Sequence, residues 1–263
     1  MKALYAFLVC VMLSGCGVAA QPPPTATATI TRTLTPQPNL TATKRAIQAA
    51  TQTMRVNEAH ETQTEVAKPT ATALAKAASA LEEITNAANG IEGIDIQEAR
   101  LAFGPRDDEI TDTADDFVAT FDPGFSVANF VASIKFINPY DTATRGKWDY
   151  GFFFRNQYGD KQYRLVVLSN QSWTLLNGET GTYIYSSNDK NLKAQAGEEN
   201  AIWLIVIDKK AHLFVNGSYA KSMDLGNGPA RGDVSPATGV YYGNVLEAAS
   251  STEFRDFMVW RLP

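Results

Sequence analysis

The chain has 263 residues, and its 23 Lys and Arg against 28 Asp and Glu give a formal net charge of −5 at pH 7. Residues 91–263 carry 16 Lys and Arg against 23 Asp and Glu, and because this acidic part has no visible basic patch, nucleic acid is excluded as a partner. The only cysteines, Cys10 and Cys16, and the only histidines, His60 and His212, exclude a zinc site built on thiolates and a histidine-rich metal site.

The N-terminus carries an export signal. Met1-Lys2 precedes the apolar run "ALYAFLVCVML", which is too short to span a bilayer permanently. The Leu13-Ser14-Gly15-Cys16 sequence that follows resembles the lipobox of bacterial lipoproteins. The resemblance implies that residues 1–15 are a signal peptide, that Cys16 carries acyl chains, and that the protein is anchored in a cell membrane or envelope on its extracytoplasmic side. The alternatives are an ordinary secretory signal and an uncleaved anchor.

Two further segments separate the anchor from the first aromatic residue of the domain, Phe103. Residues 16–42 are rich in Thr, Ala and Pro, which predicts a disordered tether with an extended backbone. Residues 43–90 favour a helical stalk, with an apolar stripe that ends before Asn89-Gly90, a helix stop signal. A stalk half-docked on the domain competes with a coiled coil, but the heptad seam fails at Glu61 and Lys68.

Residues 91–263 predict one all-β domain of the sandwich or jelly-roll type. The segment 130–137 alternates apolar residues on one side, with Phe130 and Phe136 at its ends. Asn177-Gly178 and Asn216-Gly217 lie between alternating runs, a pattern that strongly predicts hairpins.

The stretch "KWDYGFFFRN", residues 147–156, raises the question of whether its aromatic rings bind a ligand or fill a core. In a strand, Trp148, Tyr150, Phe152 and Phe154 point to one side, and this side is predicted to be core because so much apolar surface needs a facing sheet. The opposite side, residues 149, 151, 153 and 155, is predicted to be wet or in contact with a ligand.

Several strand patterns together resemble a known fold family. They are "DFVATFDPGFSVANFVASIKFINPY", "KWDYGFFFRN", "QYRLVVLSNQSWTL", "HLFVNGSY" and the closing "TEFRDFMVWRL". These runs are similar to the concanavalin A-like lectin/glucanase sandwich, and the ending is similar to the last strand of the family called 3-keto-disaccharide hydrolase or family-16-like. The resemblance implies a two-sheet jelly roll whose concave face often binds carbohydrate.

A sugar-binding face needs exposed rings to stack on pyranoses and polar groups to bond hydroxyls. The candidates for this role are Asp149, Phe153, Arg155, Arg164, Trp173, Tyr183, Tyr185 and Tyr241. For each aromatic candidate the alternative is a ring that belongs to the core or caps a strand end.

Catalysis and metal binding have weaker support in the sequence. The stretch "EGIDIQE", residues 92–98, is similar to the family-16 glucanase signature, but Gly93 stands where that signature has its nucleophile, so we predict no catalytic pair. No cofactor is predicted. Acidic loop residues are candidate ligands for Ca²⁺, namely Asp115, Asp116, Asp122 and Asp141.

Three functional hypotheses follow from these observations. The first is a lipid-anchored, non-catalytic module that binds polysaccharide. The second is a structural or adhesive module whose partner is an envelope protein, and the third is a glycan-processing enzyme. An open face with exposed aromatic residues favours the first, and a face that is closed by loops or by the stalk helix favours the second.

Overall fold

The computed structural model describes residues 70–111, 118–157, 161–239, 241 and 251–263. The predicted signal peptide, the lipidation site Cys16, the tether and the first part of the stalk lie outside the described residues. Within the described ranges, no helix is both long and apolar enough to cross a membrane.

The described residues form two helices and thirteen strands. The helices are α1 (Ala71–Ala88) and α2 (Thr142–Arg145). The strands are β1 (Arg100–Thr111), β2 (Ala119–Thr120), β3 (Ser126–Val127), β4 (Phe130–Ile137), β5 (Asp149–Gln157), β6 (Lys161–Leu168), β7 (Ser172–Asn177), β8 (Tyr183–Asn188), β9 (Glu199–Ile207), β10 (Lys210–Val215), β11 (Ser218–Asp224), β12 (Gly232–Thr238) and β13 (Ser251–Arg261).

The strands form two antiparallel sheets. The six-stranded sheet has the order β1-β13-β4-β9-β10-β11, and the seven-stranded sheet has the order β2-β12-β5-β6-β7-β8, with β3 paired to β12. Large side chains from the inner faces of both sheets fill one core between them. The predicted all-β sandwich is therefore confirmed.

The predicted core side of β5 lies in this core. Trp148, Tyr150, Phe152 and Phe154 are at most 1% exposed. The Tyr150 ring stacks on Phe136 of the facing sheet with centroids 4.4 Å apart and on Trp148 at 5.1 Å. The side of β5 with four aromatic residues is structural, as the alternation along the strand predicts.

Two of the predicted turns can be compared with the structure. β10 and β11 are joined by Asn216-Gly217, and both residues have left-handed backbones with φ of 49° and 78°. This is the tight hairpin that the Asn-Gly pair predicts. The turn at Asn177 is longer, because β7 ends there and β8 begins at Tyr183.

A buried polar network closes one end of the sandwich. The Tyr150 hydroxyl donates to Asn138 Oδ1 at 2.8 Å, and Asn200 Nδ2 donates to the Tyr150 hydroxyl at 2.8 Å and to the carbonyl of Lys193 at 2.9 Å. Asn200 Oδ1 accepts from Lys193 N–H at 2.9 Å and from Asn216 Nδ2 at 3.0 Å. Every member that is buried has a partner, so the network fixes the segment between β8 and β9.

The helix α1 ends at the predicted stop signal, Asn89-Gly90. Thr70 caps its N-terminus, with the side-chain oxygen accepting from Ala73 N–H at 3.2 Å. Asn89 follows its last turn, and Gly90 has a left-handed φ of 82°. Glycine adopts this left-handed backbone at little cost because it has no Cβ, so Gly90 suits the end of the helix.

The helix packs on the outer face of the six-stranded sheet. Its buried residues Ala77, Ile84 and Ala88 join a second apolar cluster that includes sheet residues Val131, Trp203, Ile205, Phe214, Met258 and Trp260. Lys76 forms an ion pair with Asp256, which also pairs with Lys135 Nζ at 3.1 Å. The helix is therefore docked on the sandwich from Lys76 to Ala88.

The four tryptophans divide between the two apolar clusters. Trp148 and Trp173 lie between the sheets, whereas Trp203 and Trp260 lie in the cluster that α1 helps to form. All four are at most 6% exposed.

Candidate functional site

The outer face of the seven-stranded sheet is largely closed at its centre. Val166 and Ala237, which flank Gly151 in the neighbouring strands, are fully buried. Asp149 is also fully buried and Phe153 is 6% exposed. The prediction that this side of β5 is wet is therefore wrong, and direct contact with a ligand has to occur elsewhere on the face.

Asp149 is a buried carboxylate that fixes the backbone of another segment. Its Oδ2 accepts from the Tyr241 N–H at 3.2 Å, and its backbone carbonyl accepts from the Thr238 hydroxyl at 2.8 Å. An ionised or polar group is retained in a buried position when such hydrogen bonds compensate for lost hydration. Asp149 thus positions Tyr241, which lies 92 residues away in the sequence.

Arg155 does not lie on the predicted outer face, because the strand alternation breaks at this residue. Its φ is 49°, and the pairing of β5 with β6 shifts between Phe154 and Gln157. The guanidinium is buried and donates to the backbone carbonyls of Ala128 at 3.0 Å and Asp208 at 2.6 Å. Burial lowers the pKa of Arg155, while Tyr163 and Asp208 oppose this shift.

Phe153 and Arg164 form a stacked pair on the outer face. The Arg164 guanidinium carbon lies 5.0 Å from the centroid of the Phe153 ring, which is a favourable cation–π distance. The side chain of Arg164 is half-buried. In the ladder, Phe153 pairs with Arg164, Arg164 with Leu176, and Leu176 with Tyr183, so one row of side chains runs across the face to its β8 edge.

The row ends at Tyr183, and a second exposed tyrosine, Tyr241, lies beside it. Tyr183 is 56% exposed and Tyr241 is 42% exposed. Their rings lie 6.4 Å apart at 67°, and the Tyr183 hydroxyl donates to the Tyr241 hydroxyl at 3.3 Å. Donation to Tyr241 raises the pKa of Tyr183. We call Tyr183 and Tyr241 the tyrosine pair.

Trp173 and Tyr185 belong to the inner side of the same edge. Trp173 is 1% exposed and stacks on Tyr185 with centroids 5.3 Å apart. The Lys221 ammonium, from the facing sheet, lies 4.9 Å from the Tyr185 centroid. The core alternative that the sequence left open therefore describes Trp173, and the half-buried Tyr185 packs against the core beside it.

Leu176 belongs to the outer face but is not among the predicted site residues. It is 9% exposed and lies in the row between Arg164 and Tyr183. Alternation along "SWTLLN" places Leu176 on the side of the strand opposite to Trp173 and Leu175. The sequence pattern therefore predicts that Leu176 lies on the outer face if Trp173 lies in the core.

The acidic candidates show local structural roles. Asp122 Oδ1 accepts from Gly124 N–H at 2.8 Å, and Asp141 caps α2 by accepting from Ala143 N–H at 2.9 Å. Asp115 and Asp116 lie outside the described residues. In the part of the chain that the structure describes, there is no group of three His, Cys, Asp or Glu placed to hold a metal ion.

The stretch 92–98 lies in turns between α1 and β1. Asp95 Oδ1 accepts from Gln97 N–H at 3.2 Å, and Asp95 and Glu98 line a groove of about 460 Å³ together with Asp208, Asn129 and the C-terminal residues. None of the described residues that line this groove is aromatic, so they offer no flat surface on which a sugar would stack.

The chain matches no protein-family model and no curated protein. Solved structures give remote likenesses. The carbohydrate-binding module CBM66 from Bacillus subtilis has a TM-score of 0.41 and 9% identity, over 54% of this chain and 81% of that one. A Bacillus subtilis protein of unknown function with a galectin-like fold has a TM-score of 0.43 and 13% identity, over 61% of this chain and 85% of that one.

Sheep galectin-11, in complex with glycerol, has a TM-score of 0.34 and 10% identity, over 51% of this chain and 96% of that one. Superposition and identity at these levels carry no argument about what this chain binds.

Proposed function

We propose that this protein is a lipid-anchored surface protein whose β-sandwich binds carbohydrate, without catalysis, at the tyrosine pair. The observation that carries the proposal is the exposure of two neighbouring aromatic rings at the edge of a face whose centre is closed. Exposed rings that are fixed in position provide the apolar surface on which a pyranose ring stacks.

Polar groups beside the tyrosine pair fit the same ligand class. The two phenol groups offer donors and acceptors for sugar hydroxyls. Arg164 lies in the same cross-strand row, with its guanidinium carbon 5.0 Å from the centroid of the Phe153 ring. Asp149 contributes through Tyr241, whose backbone it holds, rather than by touching the ligand.

The test is retention of the purified full chain on a panel of insoluble polysaccharides and on a glycan array. We expect selective binding that falls at least about tenfold in Tyr183→Ala and in Tyr241→Ala, because each change removes a stacking surface worth about 1.4 kcal/mol or more. Tyr219→Ala is the matched control, because Tyr219 is 43% exposed but lies on β11 of the other sheet.

Two results would contradict the proposal. One is the absence of retention across a broad panel by a correctly folded chain. The other is an equal loss of binding in Tyr219→Ala, which would mean that the tyrosine pair has no special part in the binding.

The lipid anchor is tested separately. We expect a clickable fatty acid that is fed to the producing cells to label the wild-type protein, and Cys16→Ser to abolish the label and release the protein from membranes. A label that persists in Cys16→Ser would contradict the lipobox assignment.

A protein-binding module is the second candidate. The observation that favours it is the burial of Val166 and Ala237 at the centre of the outer face, since a closed face offers a sugar less area. Full-chain protein that binds no glycan but is cross-linked to one envelope protein in cells would favour this function over the first.

A further inference from the structure

The four edge strands of the two sheets differ in how they are protected. An exposed edge presents unpaired backbone N–H and C=O groups, and proteins usually protect such edges with charges, proline, bulges or shortness. β2 has two residues, and β1 carries Pro105, three register shifts and the charged run Arg106-Asp107-Asp108-Glu109. β11 carries Lys221 and Asp224.

β8 is protected only by one register shift against β7, between Tyr185 and Tyr183. Its sequence, Tyr-Ile-Tyr-Ser-Ser-Asn, contains no charge and no proline, and its first three residues have high strand propensity. It is the last strand of the seven-stranded sheet and pairs with β7 on its other side. In the described part of the chain, β8 is therefore the edge that is best suited to accept another strand.

The backbone groups that face outward from β8 can be identified. Asp189 N–H donates to the Gln171 carbonyl at 2.9 Å on the β7 side, and Ser186 and Asn188 alternate with Asp189 along the strand. In an antiparallel ladder both backbone groups of a residue point to the same side. Those of Ser186 and Asn188 consequently point away from β7.

We propose that β8 pairs with β8 of a second copy of this chain, antiparallel and centred on Ser186, to form one continuous sheet through a twofold axis. In this register Ser186 lies opposite Ser186 of the second copy, on the part of β8 after Tyr185 that pairs regularly with β7. A twofold contact of this kind is self-complementary and closed, so it gives a dimer and not a fibre.

Charge at the two ends of β8 favours a second copy as the occupant. The exposed Glu179 precedes the strand, whereas the exposed Lys190 and Lys193 follow it. Asp189 also follows the strand, so the formal charge of this end is +1 (two Lys against one Asp), against −1 at the end that carries Glu179. Antiparallel pairing brings the acidic end of one copy beside the basic end of the other, twice by symmetry.

This pairing would place two tyrosine pairs on one side of the joined sheet, because opposed residues of an antiparallel ladder project to the same face.

The dimer itself does not depend on carbohydrate binding. A failure of the glycan tests would leave the pairing standing, and a monomeric chain could still bind a glycan.

The first test is the molar mass of the full chain in detergent, measured by sedimentation over a range of protein concentrations. We expect a dimer for the wild type and a shift of the dissociation midpoint to at least about tenfold higher concentration in Ser186→Lys, which places two lysines opposite each other. Ser218→Lys adds the same charge at an exposed position of β11 and is expected to leave the dimer unchanged.

The second test locates the axis by oxidative cross-linking. We expect Ser186→Cys to form a disulfide between copies, because directly opposed strand residues lie within the Cα separation that a disulfide requires. Ser187→Cys would lie opposite Tyr185 of the second copy and is expected to cross-link far less.

The proposal is overturned by a wild type that is monomeric at every concentration. Equal loss of the dimer in Ser186→Lys and Ser218→Lys, or equal cross-linking of the two cysteine variants, would also overturn it.

Discussion

His212 is a buried histidine whose ring nitrogens lose their hydration when the chain folds. It is 1% exposed on β10, and among the described residues neither ring nitrogen has a hydrogen-bond partner. Burial lowers the pKa of His212, and the nearby charge of Lys210 lowers it further. The folded chain therefore binds a proton at this position less readily than the unfolded chain does.

This residue predicts a pH dependence of stability. The unfolded histidine titrates near its ordinary pKa of about 6.5, so stability rises with pH up to that point and falls as the pH drops below it. We expect His212→Leu to flatten the dependence of the free energy of unfolding between about pH 7.5 and 5.5. Urea unfolding at several pH values measures this effect.

The control for this prediction is the same substitution at His60, the only other histidine. We expect His60→Leu to retain the wild-type pH dependence. A profile that stays unchanged in His212→Leu would show that other groups cause the loss of stability in acid.

Single residues also limit what the sequence could predict on β5. The alternation correctly places Trp148, Tyr150, Phe152 and Phe154 in the core. It fails at Arg155 because a left-handed residue in a bulge turns its side chain out of phase, and no local pattern marks that bulge. The link from Asp149 to Tyr241 joins distant segments, and spacing along the chain contains no information about such a contact.

At the scale of elements, the docking of α1 depends on a narrow face. Ile84 is fully buried in the cluster beneath the helix, whereas Leu74, ten residues earlier on the same helix, is 49% exposed. Most of the stability of a short amphipathic helix comes from packing rather than from propensity. Shortening the side chain should therefore change the free energy of unfolding by very different amounts at these two positions.

We expect Ile84→Ala to lower the free energy of unfolding by about 2–5 kcal/mol, because the change removes buried methyl groups and leaves a cavity. Leu74→Ala is the matched control and should change it by no more than about 0.5 kcal/mol. Urea unfolding measures both values, and amide exchange within residues 71–88 would report the loosened helix. Equal costs at the two positions would contradict the docking described here.

The apolar stripe of α1 was predictable, but its partner was not. The predicted stripe consists of Leu74, Ala77, Ala78, Leu81, Ile84 and Ala88. Ala77, Ile84 and Ala88 are buried, whereas Leu74 and Ala78 are exposed, and periodicity does not distinguish a sheet from a second helix as the partner. The face of the six-stranded sheet that receives it is formed by residues on β4, β9, β10 and β13, and that face exists only after the strands have paired.

At the scale of the whole molecule, α1 and the sandwich share an apolar cluster. A boundary at residue 90, which the sequence predicts between stalk and sandwich, would separate α1 from Val131, Trp203, Phe214, Met258 and Trp260. Exposed apolar patches of this kind promote association between molecules.

We expect the fragment 91–263 to bind a hydrophobic dye and to aggregate, whereas the fragment 70–263 should remain monodisperse or dimeric. Dye fluorescence and light scattering at equal concentration compare the two fragments. Similar behaviour of both fragments would mean that the sandwich needs no cover on this face.

The distribution of the tryptophans has a consequence for spectroscopy. Because all four are at most 6% exposed, emission of the native protein should lie at short wavelength and resist quenching by solutes in water. The exposed tyrosine pair makes no contribution when only indole is excited, so a glycan there would leave the signal almost unchanged.

Replacing Trp148 and Trp173 by Phe would leave two emitters, Trp203 and Trp260, in the cluster shared with α1. The remaining emission would then follow the detachment of the helix separately from the melting of the sandwich.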